Sequence, residues 1–197
     1  KMKVKKQNLI EVLEKVLPGI SEKDVIEQSH SFLFKKDRIE SFNDSVLITC
    51  KFETNIEGAV KATEFYTILQ KLKEEIEIQS SEGELILSSG RTKVGLKLSE
   101  VVLDTECVKM PTKFFPVAED FSKALSFCSS STSKDFSRRE LTCVHIKENI
   151  AESCDNFRLT RYMMKGRMKE MLVPSSIIKP LIERNPKSYA ITEDWIH

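Results

Sequence analysis

The sequence predicts an α+β protein built from a repeated unit of one strand, one helix and three further strands. Three observations predict it. Large apolar residues recur at intervals of 56, as Leu13, Leu69, Leu125 and Leu181, each preceded four positions earlier by Leu9, Phe65, Phe121 and Ile177. A short strand-like run stands before each of these pairs. Segments that alternate with a period of two come after each pair. Residues four apart share one side of a helix and residues two apart share one face of a strand, so the two periods separate the two kinds of element.

The helices come first in the argument. Val12, Ile68 and Ala124 extend the apolar stripe one turn on, as do Val16, Leu72 and Cys128 a turn later. The fourth unit carries Pro180 and Arg184 at these places, so its helix is expected to be shorter or irregular. The strands leading into the helices are placed at residues 2–6, 58–62, 113–117 and 170–173. The strands after them are placed at 31–34, 38–42 and 45–52 in the first unit, and at 75–79, 84–87 and 92–98 in the second. The third unit supplies 141–146, 150–154 and 158–163, and the fourth begins with 188–192. Two units make a domain of ordinary size. The first domain is therefore placed at 1–99, an extended linker at 100–110, and the second domain at 111–197, where its last strands are expected to be missing. One amphipathic helix per unit suggests helices packed on one side of antiparallel sheet.

Composition narrows the function. The 197 residues are 40% hydrophobic and 31% charged, and 31 basic against 30 acidic side chains leave a net charge of +1. This argues against a strongly basic nucleic-acid coat, although local lysines suffice for phosphate contact. No run is long and apolar enough for a transmembrane helix, and the N-terminal residues lack the pattern of a signal peptide. The five cysteines are odd in number and without C-x-x-C spacing, which speaks against a disulfide framework or a zinc site and for a reducing cytosol.

Catalytic constellations are sparse. Cys143 and His145 share a strand face, which leaves a thiol–imidazole pair geometrically open. Asp44 and Asp155 recur at similar places, in ESFND at 40–44 and ESCD at 152–155. That recurrence points to a structural turn, because Asp and Asn accept backbone hydrogen bonds and tolerate tight turns. The six glycines are scattered, and no phosphate-binding loop is formed.

Several segments resemble one family, the bacterial DNA sliding clamp, the β subunit of DNA polymerase III. ESCDNFRL at 152–159 resembles that family's ATDG-x-RL motif in its middle domain. Thirteen residues on, Leu172, Val173 and Pro174 followed by SSII at 175–178 resemble its strand and next helix. RRELTCV at 138–144 resembles an upstream strand, and EGAVKA at 57–62 with ELILSSG at 84–90 follows the first-domain pattern. Cys154 stands in place of the usual threonine, Asn156 in place of glycine, and Cys143 where glycine is common. The chain thus looks like a divergent member.

The resemblance implies a DNA-clamp fold with antiparallel sheets outside and helices lining the inner face. It implies three domains per subunit and a homodimer ring around double-stranded DNA, with the third domain absent from this chain. The implied role is non-catalytic and cytoplasmic, without cofactor, metal or membrane. It is that of a DNA replication processivity factor that tethers the replicative polymerase and meets the clamp loader and other clamp-binding peptides. Phosphate-following lysines would be Lys71, Lys73, Lys123 and Lys179, with Lys15 and Lys187 beside them and Lys23 in a loop. The middle-domain half of the peptide groove would be Leu141, Cys154, Asn156, Phe157, Arg158 and Leu159. Two other readings stay open: a clamp-like peptide-binding scaffold that does not enclose DNA, and an unrelated α+β enzyme centred on Cys143 and His145.

Overall fold

The apolar repeat becomes four helices: α1 (Lys6–Val16), α2 (Ala62–Lys71), α3 (Phe121–Ser129) and α4 (Ser175–Glu183). They are seen in a computed structural model that describes residues 2–21, 26–106 and 108–197. Leu9, Leu13, Phe65, Leu69 and Leu125 are fully buried, and Phe121 nearly so. Each such side chain removed from water contributes about 1.5–3 kcal/mol. In α4 the phase shifts: Ile178 is buried while Ile177 and Leu181 are half-buried. The helix nevertheless runs through Pro180 for its full nine residues.

The chain divides into two units, Lys1–Val108 and Lys109–His197. The first holds two four-stranded antiparallel sheets. One has the order β1 (Met2–Lys5), β6 (Glu75–Ser81), β7 (Glu84–Ser89), β8 (Thr92–Lys97). The other has the order β4 (Leu47–Lys51), β3 (Arg38–Phe42), β2 (Ser31–Lys35), β5 (Gly58–Lys61). The sheets meet where Ala59 and Ser99 exchange backbone hydrogen bonds of 2.8 and 2.9 Å. Gly58 sits at that junction with φ +152°, and a Cβ there would lie 2.4 Å from Leu98 Cδ1. Both helices and both sheets contribute to a single apolar core, in which the Phe65 ring meets Phe34 and Phe32 edge-on at 5.6 and 6.2 Å. Lys6 closes the end of α2, its Nζ donating to the carbonyls of Leu72 (2.8 Å) and Gln70 (3.4 Å).

The second unit departs from the expected strand list. Residues 139–142 form a 3₁₀ turn, so the strand placed at 141–146 starts at Cys143. It continues with the next one as β10 (Cys143–Cys154), and the segments at 158–163 and 170–173 merge into β11 (Leu159–Pro174). The strand at 113–117 shrinks to β9 (Phe115–Pro116), paired with β12 (Ser188–Tyr189), and the rest of 188–192 pairs instead with the chain's last residues, Ile191 bridging Ile196. Merging follows from pairing. The two halves of β10 pair with opposite halves of β11, with the register shifting on both sides of Glu148.

β10 also doubles back. His145 and Glu152 touch at 3.3 Å, whereas seven residues of straight strand would separate them by roughly 23 Å. The turn falls at Glu148, whose φ is +55°. This is the hairpin that β2 and β3 form in the first unit, where Leu33 pairs with Glu40. α3 packs on both β10 and β11, and α4 on α3 and β11.

Candidate partner-binding groove and helix surface

The same turn is built twice. In the first unit Asn43 Oδ1 accepts from Val46 N (2.9 Å) and Ser45 N (3.2 Å). In the second, Asp155 Oδ1 accepts from Arg158 N (2.9 Å) and Phe157 N (3.2 Å). The residue after each acceptor takes a left-handed backbone, Asp44 at φ +73° and Asn156 at +74°. Asp44 therefore corresponds to Asn156 and Asn43 to Asp155, a correction of one residue to the pairing read from the sequence. A second shared feature lies just before it. Ser41 Oγ and Ser153 Oγ each donate to a carbonyl in the last turn of the preceding helix, at Val16 and Cys128. The paired ESF and ESC segments carried this signal in the sequence.

Asp155 also holds the Arg158 guanidinium, at 2.6 and 3.1 Å. That contact, followed by backbone hydrogen bonds, keeps the carboxyl below the usual carboxylate range. Arg138 adds a 3.3 Å bond to Asn156 Oδ1. The turn is thus braced from inside, and it presents Phe157 at 94% exposure.

Beside it lies an open groove of about 340 Å³. Of the six residues expected there, Leu141, Cys154 and Leu159 line it, while Asn156, Phe157 and Arg158 form the turn at its end. Leu159 and Leu172 are exposed apolar walls, at 66% and 44%. The lining also includes Cys143, His145, Glu152 and Arg161, which reading the motif alone missed. Their signal was the alternation of β10: Val144, Ile146, Ala151 and Ser153 point inward, so their neighbours point out.

The polar part of this face is a chain of charge-assisted contacts. Arg161 reaches Glu152 at 2.7 Å, Glu152 reaches His145 Nδ1 at 3.3 Å, His145 Nε2 reaches Glu170 at 3.1 Å, and Glu170 reaches Lys147 at 3.2 Å. The Arg161 hydrogen bond holds the Glu152 carboxyl below its ordinary range, and the His145 contact does the same for Glu170. His145 is thus turned to carboxylates, not to a nucleophile. Burial raises the Cys143 thiol, whose Sγ lies 3.5 Å from the Arg139 carbonyl. A thiolate nucleophile wants the opposite surroundings.

Lys15, Lys71, Lys123 and Lys179 are exposed on their helices, while Lys73 and Lys187 are exposed just beyond α2 and α4. Lys23 lies outside the described residues. The helices are close to charge balance, with Lys6, Lys15, Lys71, Lys123 and Lys179 against Glu11, Glu14, Glu64 and Glu183. Glu14 accepts from Tyr66 Oη at 3.0 Å, and Glu64 pairs with Lys61 at 3.1 Å.

No protein-family model matches the chain, and no curated protein matches it in sequence. Solved structures do match it. The DNA polymerase III β sliding clamp of Bartonella birtlesii, bound to griselimycin, superposes with a TM-score of 0.78 at 16% identity, covering 98% of this chain and 60% of that one. The DNA polymerase sliding clamp of Bacillus subtilis gives 0.74 at 17% identity over 97% and 59%. The β clamp of Helicobacter pylori, bound to a DNA ligase peptide, gives 0.73 at 14% identity over 97% and 61%. The chain spans about 60% of the length of these structures. Its two units, each with the hairpin and braced turn described above, have the fold of the DNA sliding clamp.

Proposed function

We propose that this chain belongs to a DNA sliding clamp, a non-catalytic processivity factor of DNA replication in the cytoplasm. In this reading it forms the first domain and most of the second in a three-domain subunit. Two subunits close around duplex DNA, and the groove beside Phe157 takes short peptides from the replicative polymerase, the clamp loader and other partners. The observation that carries the reading is the superposition over 98% of the chain on a sliding clamp. The near balance of helix charge fits a ring held by topology, because few phosphate contacts leave it free to slide. Lys15, Lys71, Lys73, Lys123, Lys179 and Lys187 would supply those contacts through long, solvated side chains.

The same balance favours a second reading, a peptide-binding scaffold that does not enclose DNA. Retention on circular DNA separates the two. The full-length protein is loaded on nicked circles by its clamp loader, and the DNA is then linearised. A ring stays on circles and runs off linear ends. Equal release from both forms, or no accumulation on circles with an active loader, selects the scaffold.

A further inference from the structure

The first unit ends in a strap. Residues 99–106 follow β8, cross the hairpin of β2 and β3, and lead toward Lys109, where the second unit begins. The root of the strap is the backbone pair between Ala59 and Ser99. Beyond that root it is tied by side chains. Gln28 donates to the Val101 carbonyl (2.6 Å) and accepts from Leu103 N (2.9 Å). Thr105 Oγ1 accepts from Lys35 Nζ (2.6 Å) and donates to Glu40 Oε2 (2.7 Å).

Apolar anchorage of the strap is slight. The buried core of the unit runs to Leu98 and includes no residue from 99 to 106, and Val101 is 78% exposed. What lies beneath is charged: Glu40 sits 3.0 Å from Lys35 and 2.7 Å from Arg38. Covering these groups costs their hydration, and the Thr105 hydroxyl, which both donates and accepts, offsets that cost. Lifting the strap returns water to the charges, so little is lost on opening. Segments with few buried apolar contacts open at a free energy well below that of global unfolding. We infer that residues 100–106 open and close on an otherwise intact first unit, hinged at Ser99 and caught at Thr105. The ties at Gln28 and Thr105 lie within one short run of chain, so they release together. Opening frees the chain that leads to Lys109, and the catch thereby sets how much of that chain is slack. The device is built within the first unit and does not depend on what the groove of the second unit takes.

The test is hydrogen exchange of the full-length protein, followed amide by amide in increasing denaturant. The Leu98 amide, bonded to the Gly83 carbonyl at 2.7 Å, is expected to follow global unfolding. The Leu103 amide, five residues on, is expected to exchange with almost no dependence on denaturant, because local opening exposes little surface. Thr105→Val leaves the bond between Leu103 and Gln28 in place, yet it should speed exchange at Leu103 by about tenfold or more, the loss of hydrogen bonds to charged groups. Exchange at Leu98 should not change. Equal denaturant dependence at Leu98 and Leu103 in the wild-type protein overturns the inference, since the strap would then belong to the cooperative fold of the unit. An unchanged Leu103 rate in Thr105→Val overturns it as well, because the contacts would then open one by one. The wild-type comparison stands whether or not the variant folds.

Discussion

Glu40 and Glu152 occupy the same place in the same hairpin, yet Glu40 is covered by Thr105 while Glu152 is held by Arg161 and His145. The covered residue carries the sharper consequences for stability. Glu40 holds Arg38 at 2.7 Å, Lys35 at 3.0 Å and Thr105 at 2.7 Å. Replacing it by alanine leaves Lys35 facing a buried space without its counter-charge. The expected loss is about 3–5 kcal/mol, read by chemical denaturation. Faster amide exchange at Leu103 should accompany it, since that residue lies on the segment Glu40 helps to hold.

The same residue makes the first unit acid-sensitive. Burial alone would raise the Glu40 carboxyl, but hydrogen bonds from Arg38, Thr105 and Lys35 outweigh it and bring it below 4.5. The unfolded chain therefore takes up the proton first as pH falls. Its contribution is full above about pH 4.5 and is lost as pH drops through the lower native value. Stability measured across that window should fall with pH, and Glu40→Gln should flatten the curve. An unchanged slope in Glu40→Gln would remove Glu40 as the cause.

Gly58 cannot carry a side chain where it stands. A Cβ would meet Leu98 Cδ1 at 2.4 Å and Ser99 O at 3.0 Å, on a backbone with φ +152°. Gly58→Ala is expected to destabilise by about 1–3 kcal/mol and to loosen the Ala59–Ser99 junction. Thermal denaturation reads the first effect and amide exchange at Ser99 the second.

Phe65 anchors the first core through its edge-on contacts with Phe32 and Phe34. Phe65→Ala should cost about 3–5 kcal/mol. Leu181→Ala, at the half-buried end of the same repeat, should cost clearly less. Equal losses would show that the fourth helix is packed as tightly as the second.

Asp155 braces the turn that presents Phe157. Asparagine keeps the acceptor oxygen, as Asn43 does in the first unit, so Asp155→Asn should leave the Phe157 and Arg158 amides protected from exchange. Asp155→Ala should expose both. Loss of protection in both variants would mean that the charge, not the turn geometry, holds the loop.

The 56-residue recurrence by itself determined four helices and the buried faces of the first three, because an apolar stripe must turn to the sheet; in the fourth the buried position moved to Ile178. It also pointed to the twin turns in ESFND and ESCDN, although their acceptors are Asn43 and Asp155 and their left-handed residues Asp44 and Asn156, one position from the pairing read along the chain. The sequence placed a break between the strands at 141–146 and 150–154, and β10 turns back inside that break, at Glu148 with φ +55°. It did not separate the two hairpin faces. Lys35 with Glu40 and Lys147 with Glu152 look alike along the chain. Only the tertiary structure decided that residues 99–105 lie across the first pair and bury it, and that Lys147 turns to Glu170 and Glu152 to Arg161. Burial depends on which distant segment arrives, and here Gln28, more than 70 positions away from Val101 and Leu103, fixes that arrival.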